Sequence, residues 1–202
     1  MVVQAVLERE LPQVIPVSSD EAPGDAAAMT GKDLFELGDI GQTELIKGEL
    51  VRMPPTGHPH GYIKVNFAAI LHTFVRQHKL GCVMGGEVGI YTHRDPDTVR
   101  GADVVFISNE RLAQVQSDSY LDIAPELIVE ITSPNDRWHD IDDKLTEYFG
   151  IGVQIVWVAN PHRKQIHVYR SLTEIEILTV DDTLSGNSVL PGFGMPVAEL
   201  FE

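Results

Sequence analysis

Between residues 60 and about 79, apolar side chains return every three or four positions. Ile63, Phe67, Ile70, Leu71, Phe74 and Val75 form one stripe, the mark of an amphipathic helix, and Gly81 supplies its stop. Elsewhere the period shortens. Residues 44–53 read as two strand pieces around a Lys47-Gly48 turn, a hairpin broken off by Pro54 and Pro55. Three further strand candidates cover 87–92, 102–107 and 126–131. A turn over 133–136 follows, then a second helix over about 139–149 with Gly150 and Gly152 behind it. Residues 153–158 are rich in β-branched side chains and pair with 165–170 through a turn at 160–164. A last strand is expected over 174–180 and a short helix near 196–200. Upstream, Thr30 can N-cap a short helix ended by Gly38. Residues 1–29 mix prolines, serines and charges without a sustained period and read as a loosely ordered arm. The pattern predicts one mixed α/β domain over 30–202, a central sheet with a helix on each side.

Composition narrows the class. The chain's 202 residues are enough for a domain with a real core. The richest apolar run, Ile155-Val156-Trp157-Val158-Ala159, falls far short of the roughly 18 residues a membrane span needs. No basic segment precedes an apolar one at the N-terminus, so a cytoplasmic protein without membrane association is expected. A single cysteine, Cys82, excludes an intrachain disulfide and a multi-cysteine zinc site. The 30 acidic and 15 basic residues give a net charge of −15. Most of the excess sits at the ends: residues 1–43 carry eight acids and two bases, and residues 171–202 carry six acids and no base. Such a charge opposes generic nucleic-acid binding. Screening beyond about 10 Å at 0.1 M salt still lets one cation govern one cleft.

Two carboxylates stand where carboxylates are seldom found. Asp103 opens the apolar run Val104-Val105-Phe106-Ile107, and Glu130 lies inside Leu127-Ile128-Val129-Glu130-Ile131. Ionised groups in such runs are held by a cation or lie on a solvated face. On neighbouring strands, the pair could share a divalent metal through oxygen ligands, and that metal could activate water or stabilise phosphoryl charge. Lys144 follows on the second helix, with Asp140 at i−4 and Tyr148 at i+4 on one face. Beside a phosphate it would orient water and neutralise developing charge. Each residue also has an ordinary reading: a strand-end acid for Asp103, a solvated sheet position for Glu130, an Asp140 ion pair for Lys144.

Several motifs occur in one order: Gly48-Glu49-Leu50, Pro54-Pro55-Thr56-Gly57, His60-Gly61, Arg100-Gly101-Ala102-Asp103-Val104, Pro125-Glu126-Leu127-Ile128-Val129-Glu130-Ile131-Thr132-Ser133-Pro134, Lys144, and Gly152-Val153 through Trp157-Val158. Over residues 30–202 the chain resembles the Uma-type family of bacterial "putative restriction endonucleases" in the PD-(D/E)XK nuclease superfamily. The resemblance implies an α/β fold with a restriction-endonuclease-like core, a central mixed β-sheet flanked by α-helices. It also implies an endonuclease that hydrolyses DNA phosphodiester bonds by metal-activated water, with Mg2+ as cofactor and Mn2+ as substitute. Asp103 and Glu130 match the family's metal-binding carboxylates. The superfamily's usual lysine position is Thr132 here, and Lys144 matches a lysine moved onto the following helix. Glu49 resembles an accessory acid before the long helix, and His60, at that helix's start, could reach phosphate or metal-bound water. The motif's proline before the aspartate is Ala102.

Other residues carry less. Glu87, beside Gly85-Gly86, is a further ligand or a hairpin acid, and no Gly-Lys-Ser/Thr follows to make a phosphate loop. His58 and His139 suit loop or cap roles, Cys82 a buried small hydrophobe, and Trp157 the core. Arg163 and Lys164 are solvated turn residues or phosphate contacts. Two other functions remain open at this point. One is a catalytically silent nuclease-fold binding or assembly module, suggested by the acidic ends. The other is a sugar hydrolase using Asp103 and Glu130 as acid and base. A double-strand cut would need two sites, which points to a homodimer.

Overall fold

The computed structural model of the chain describes residues 28–133 and 136–202. The arm expected over 1–29 therefore lies outside the described residues, save Ala28 and Met29. Of the turn expected over 133–136, Pro134 and Asn135 lie outside them too. Helix α1 (Gly31–Glu36) opens on the Thr30 cap the sequence suggests, with Thr30 and Asp33 exchanging a reciprocal capping box. Strands β1 (Thr43–Ile46) and β2 (Glu49–Arg52) form the expected hairpin. Its two turn residues, Lys47 and Gly48, both take positive φ, as a tight two-residue hairpin turn requires.

The long helix, α2 (His58–His78), begins with proline in its first turn and presents Ile63, Phe67, Leu71 and Val75 to the core. Its stop differs from expectation. Lys79 takes the left-handed cap conformation itself, and Gly81 opens the next strand, where a Cβ would run into the Ile107 carbonyl. Strands β3 (Gly81–His93) and β4 (Thr98–Ser108) pair almost end to end, so both exceed their apolar runs. After the short helix α3 (Asn109–Leu112), β5 (Leu127–Ile131) leads to α4 (Trp138–Ile151). Gly152 caps that helix at φ +100°, and Gly150 lies inside it. Strands β6 (Ile155–Asn160), β7 (Gln165–Tyr169) and β8 (Ile175–Leu178) complete the sheet. A two-stranded ribbon, β9 (Thr183–Ser185) with β10 (Gly194–Pro196), and a 3-10 turn over Val197–Leu200 close the chain.

The main sheet runs β2-β1-β4-β5-β6-β7-β8, with β3 on the other edge of β4. Every pairing is antiparallel except β5 with β6, whose crossover is α4. One face packs Val104, Phe106, Val129 and Trp157 against α2; the other packs Val105, Ile128 and Val156 against Leu145 and Tyr148 of α4. This is the mixed sheet with a helix on each side that the periodicities imply. Among the described residues, no helix is long and apolar enough to cross a membrane.

Strand β4 is irregular in two ways near Asp103. Along its edge away from β3, the strand pairs with β1 at Val99 and with β5 from Val104 to Phe106. Between these contacts neither neighbour supplies backbone partners. Opposite, Gly86 and Glu87 of β3 face the single residue Asp103, a bulge in which both take positive φ.

Candidate active site

The gap in β4 pairing recruits side chains. Backbone groups left without a strand must find other partners. The Gly101 N–H donates to Glu44 Oε1 at 3.0 Å, and the Gly101 carbonyl accepts from Lys144 Nζ at 2.9 Å. Lys144 reaches the gap from the second turn of α4, and Glu44 reaches it from β1. Their charges meet at 3.0 Å, and Lys144 also lies 3.5 Å from Glu130 Oε1. Glu130 comes from β5 on the α4 side of the sheet, where the Tyr148 hydroxyl donates to the same oxygen at 2.6 Å. Tyr148 follows Lys144 by one helical turn, so the shared face read from the i, i+4 spacing grips Glu130 twice.

Asp103 is held from the other side. Alternation along β4 slips at this residue: Ala102 packs with the α4-side core, yet Val104 packs with the α2-side core. At that slip the carboxylate accepts from His60 Nε2 at 3.1 Å, from Lys64 Nζ at 2.9 Å and from the Ile131 N–H at 2.8 Å. His60 and Lys64 stand one turn apart at the start of α2. The bulge turns Glu87 toward the same lysine, 2.6 Å away. The Ile131 amide, next in chain to Glu130, ties the two carboxylate sites together through the end of β5.

Behind the gap lies a supporting ion network. Arg100 is 6 % exposed and spans two acids, Glu44 Oε2 at 3.0 Å and both oxygens of Glu147 at 2.6 and 2.8 Å. Thr92 donates a further hydrogen bond to Glu147. The bidentate fork to Glu147 orients the guanidinium, whose remaining Nη1 holds Glu44, and Glu44 in turn holds Lys144.

The electrostatics separate the three central acids. Burial disfavours charge on Asp103, but His60, Lys64 and the Ile131 amide outweigh it and hold the carboxyl below the usual aspartate range. Burial also opposes charge on Glu44, and Lys144 and Arg100 likewise prevail. Glu130 goes the other way. Burial pushes it up to about 7, helped by the charges of Asp103 and Glu44, while Lys144 and Tyr148 pull it back only in part. Lys144, against the effect of its own burial, is kept protonated by Glu130 and Glu44. Asp103 likewise raises the His60 imidazole against burial, and His60 Nδ1 is buried without a hydrogen-bond partner.

Of the residues singled out from sequence, Asp103, Glu130, Lys144 and His60 therefore converge on one region. Glu49 does not join them: it pairs opposite Ile46 on β2, a strand exposed throughout. The acid of this hairpin that reaches Lys144 is Glu44, five residues earlier, 4 % exposed and unremarked in the pattern. Lys64, Arg100 and Glu147 were also missed. Glu44 offered the same signal as Glu130, an acid beside strand aliphatics; Lys64 offered only its one-turn spacing from His60. Cys82 is half-buried rather than fully enclosed.

Carboxylate oxygens, the ligands a hard divalent cation takes, dominate the region. Five carboxylates (Glu44, Glu87, Asp103, Glu130, Glu147) share the region with three fixed cations (Lys64, Arg100, Lys144) and with His60, which faces Asp103. Among the described residues, no group of three or more His, Cys, Asp or Glu side chains is placed to hold a metal ion. Magnesium seldom requires such a group, being held by one or two carboxylates with water and phosphate completing its shell. A cavity of about 270 Å³ opens over Glu130, Lys144, Glu44 and Tyr148.

Comparison with known proteins identifies the family and the fold. The family described as Uma2, putative restriction endonuclease, matches residues 33–198. No curated protein matches. Among solved structures, a putative nuclease belonging to DUF820 from Anabaena variabilis ATCC 29413 shares the fold, with a TM-score of 0.71 at 18 % identity over 86 % of this chain and 97 % of that one. With the family matched from α1 to the last turn, the chain belongs to the Uma2 family of putative restriction endonucleases.

Proposed function

We propose that the chain is a metal-dependent endonuclease that hydrolyses phosphodiester bonds of DNA. The observation that carries the reading is the meeting of Glu130 and Lys144 at the β4 gap, with Asp103 pinned beside them through the Ile131 amide. Asp103 and Glu130 would hold Mg2+, or Mn2+ in its place. Bound there, the ion would supply Lewis-acid stabilisation of phosphoryl charge and a water of lowered pKa.

The chain's own groups divide the remaining work. Lys144 stays charged because Glu44 and Glu130 flank it, and it offers a fixed cation to a phosphate oxygen as negative charge grows. Its ammonium is anchored on two sides, by Glu44 and by the Gly101 carbonyl, so little reorganisation is needed as the reaction proceeds. His60 and Lys64 hold Asp103 ionised and in one orientation. Arg100 does the same for Glu44. A cut through both strands would bring two such sites together in a twofold dimer.

The competing reading, a silent binding module suggested by the acidic ends of the chain, gains one structural feature: Asp103 and Glu130 each already have a lysine of this chain beside them. Cleavage of supercoiled plasmid decides between them. The endonuclease reading expects Mg2+-dependent nicking or linearisation by the wild type, abolished by chelator and by Asp103→Ala, Glu130→Ala or Lys144→Ala. Cleavage that persists in Glu130→Ala refutes the assignment. Tight DNA binding without turnover in any divalent ion favours the silent module.

A further inference from the structure

A second, larger cavity of about 770 Å³ adjoins the acidic site, sharing Thr132 with its lining and reaching His60, the partner of Asp103. Its far wall differs from the rest of the molecule. It carries Trp138, the first residue of α4, with His167 of β7 and His162 and Arg163 of the β6–β7 turn. Trp138 is 59 % exposed, an unusual position for so large an apolar side chain. The indole lies nearly parallel to the His167 imidazole, with 5.9 Å between centroids and 17° between planes, so one aromatic neighbour backs an otherwise exposed ring. Tertiary packing in the core does not use it.

From this arrangement we infer that Trp138 is a stacking platform for an unpaired nucleobase of a DNA strand whose phosphate lies at Asp103, Glu130 and Lys144. The inference rests on the nuclease reading and specifies its substrate. Every nucleobase has a π face, and an exposed aromatic beside a groove that tracks the backbone is how sequence-tolerant single-strand contacts are built. In a duplex those faces are covered by neighbouring base pairs. Only an unstacked base can reach the indole. Arg163 on the same wall supplies a cation for the strand's backbone, on a chain whose overall charge otherwise repels it. The preferred substrate is thus single-stranded DNA, or an unpaired nucleotide at a bubble, flap or end.

Tryptophan fluorescence reads this directly, because the other tryptophan, Trp157, is wholly buried. Oligo(dT), a duplex of matched length and free thymidine monophosphate are titrated into the full chain in chelator, which separates binding from catalysis. Oligo(dT) should quench Trp138 and the duplex should not. Trp138→Ala should weaken single-strand binding about 5- to 150-fold, the loss of one base–aromatic stack. Trp138→Phe, which keeps a ring, should restore much of it. Equal affinity for duplex and single strand, an unchanged affinity in Trp138→Ala, or free nucleotide binding as tightly as the strand would each overturn the inference. If the wild type cleaves duplex plasmid and Trp138→Ala does so at the same rate, the nuclease reading stands and the stacking platform falls. If nothing is cleaved while oligo(dT) still quenches Trp138, the platform stands and the nuclease reading falls.

Discussion

Replacing Glu130 by glutamine should make the protein less sensitive to pH. Burial raises the Glu130 carboxyl from its ordinary 4.5 to about 7, so between those values the folded chain holds a proton that the unfolded chain has lost. Stability from this group is fully present below about pH 4.5 and falls as pH rises through about 7. The interval is worth about 3 kcal/mol at roughly 1.4 kcal/mol per pH unit, an upper bound because Lys144 and Tyr148 remain to rearrange around the charge. Glutamine keeps the shape and an acceptor for the Tyr148 hydroxyl, and it carries no proton to lose. Urea denaturation of wild type and Glu130→Gln in chelator at pH 5, 6, 7 and 8 gives the comparison. The wild type should lose up to about 2.5 kcal/mol more than the variant between pH 5 and 8, since part of the interval lies below pH 5. Both proteins also carry His60, whose raised pKa removes stability as pH rises above its ordinary 6.5, but that contribution cancels in the difference. Parallel curves for the two proteins would refute the claim that Glu130 is buried against its own ionisation.

Lys64→Ala should destabilise by about 3 kcal/mol, because Asp103 and Glu87 would be left with one cation fewer in a largely buried place. Lys32→Ala, which breaks only the exposed pair with Glu36, should shift urea midpoints by less than about 0.5 kcal/mol in equivalent stability. Glu44→Ala should abolish plasmid cleavage, since Lys144 loses its anchor and Arg100 loses one of its two acids. Glu49→Ala, on the exposed strand, should change cleavage by no more than about twofold, and a larger loss would restore Glu49 as the accessory acid.

Much of this arrangement was visible in the order of residues, and the reasons for what was missed are physical. Asp103 and Glu130 announce themselves because an acid inside an aliphatic strand demands a partner. Lys144 and Tyr148 follow from helical spacing. Of the partners of Asp103, His60 was marked by its place at the helix start, but Lys64 reaches Asp103 only through the packing of α2 on the sheet, and Glu87 reaches Lys64 only through a bulge. Arg100 and Glu147 meet across the β4–α4 interface, which no local period encodes. The strand ends were misjudged for a related reason: β3 and β4 continue as far as their backbones pair, past the end of the apolar runs. The short elements α3, β9 and β10 hold too few residues to display a period at all.

The central claim is that Asp103 and Glu130, side chains from two strands, serve one divalent cation. Calorimetric titration of Mn2+ into the metal-free chain tests it without recourse to activity. One ion per chain is expected, with binding lost in both Asp103→Asn and Glu130→Gln and retained in Lys32→Ala. Binding that survives either carboxylate substitution unchanged, or no binding by a folded wild type, would contradict it.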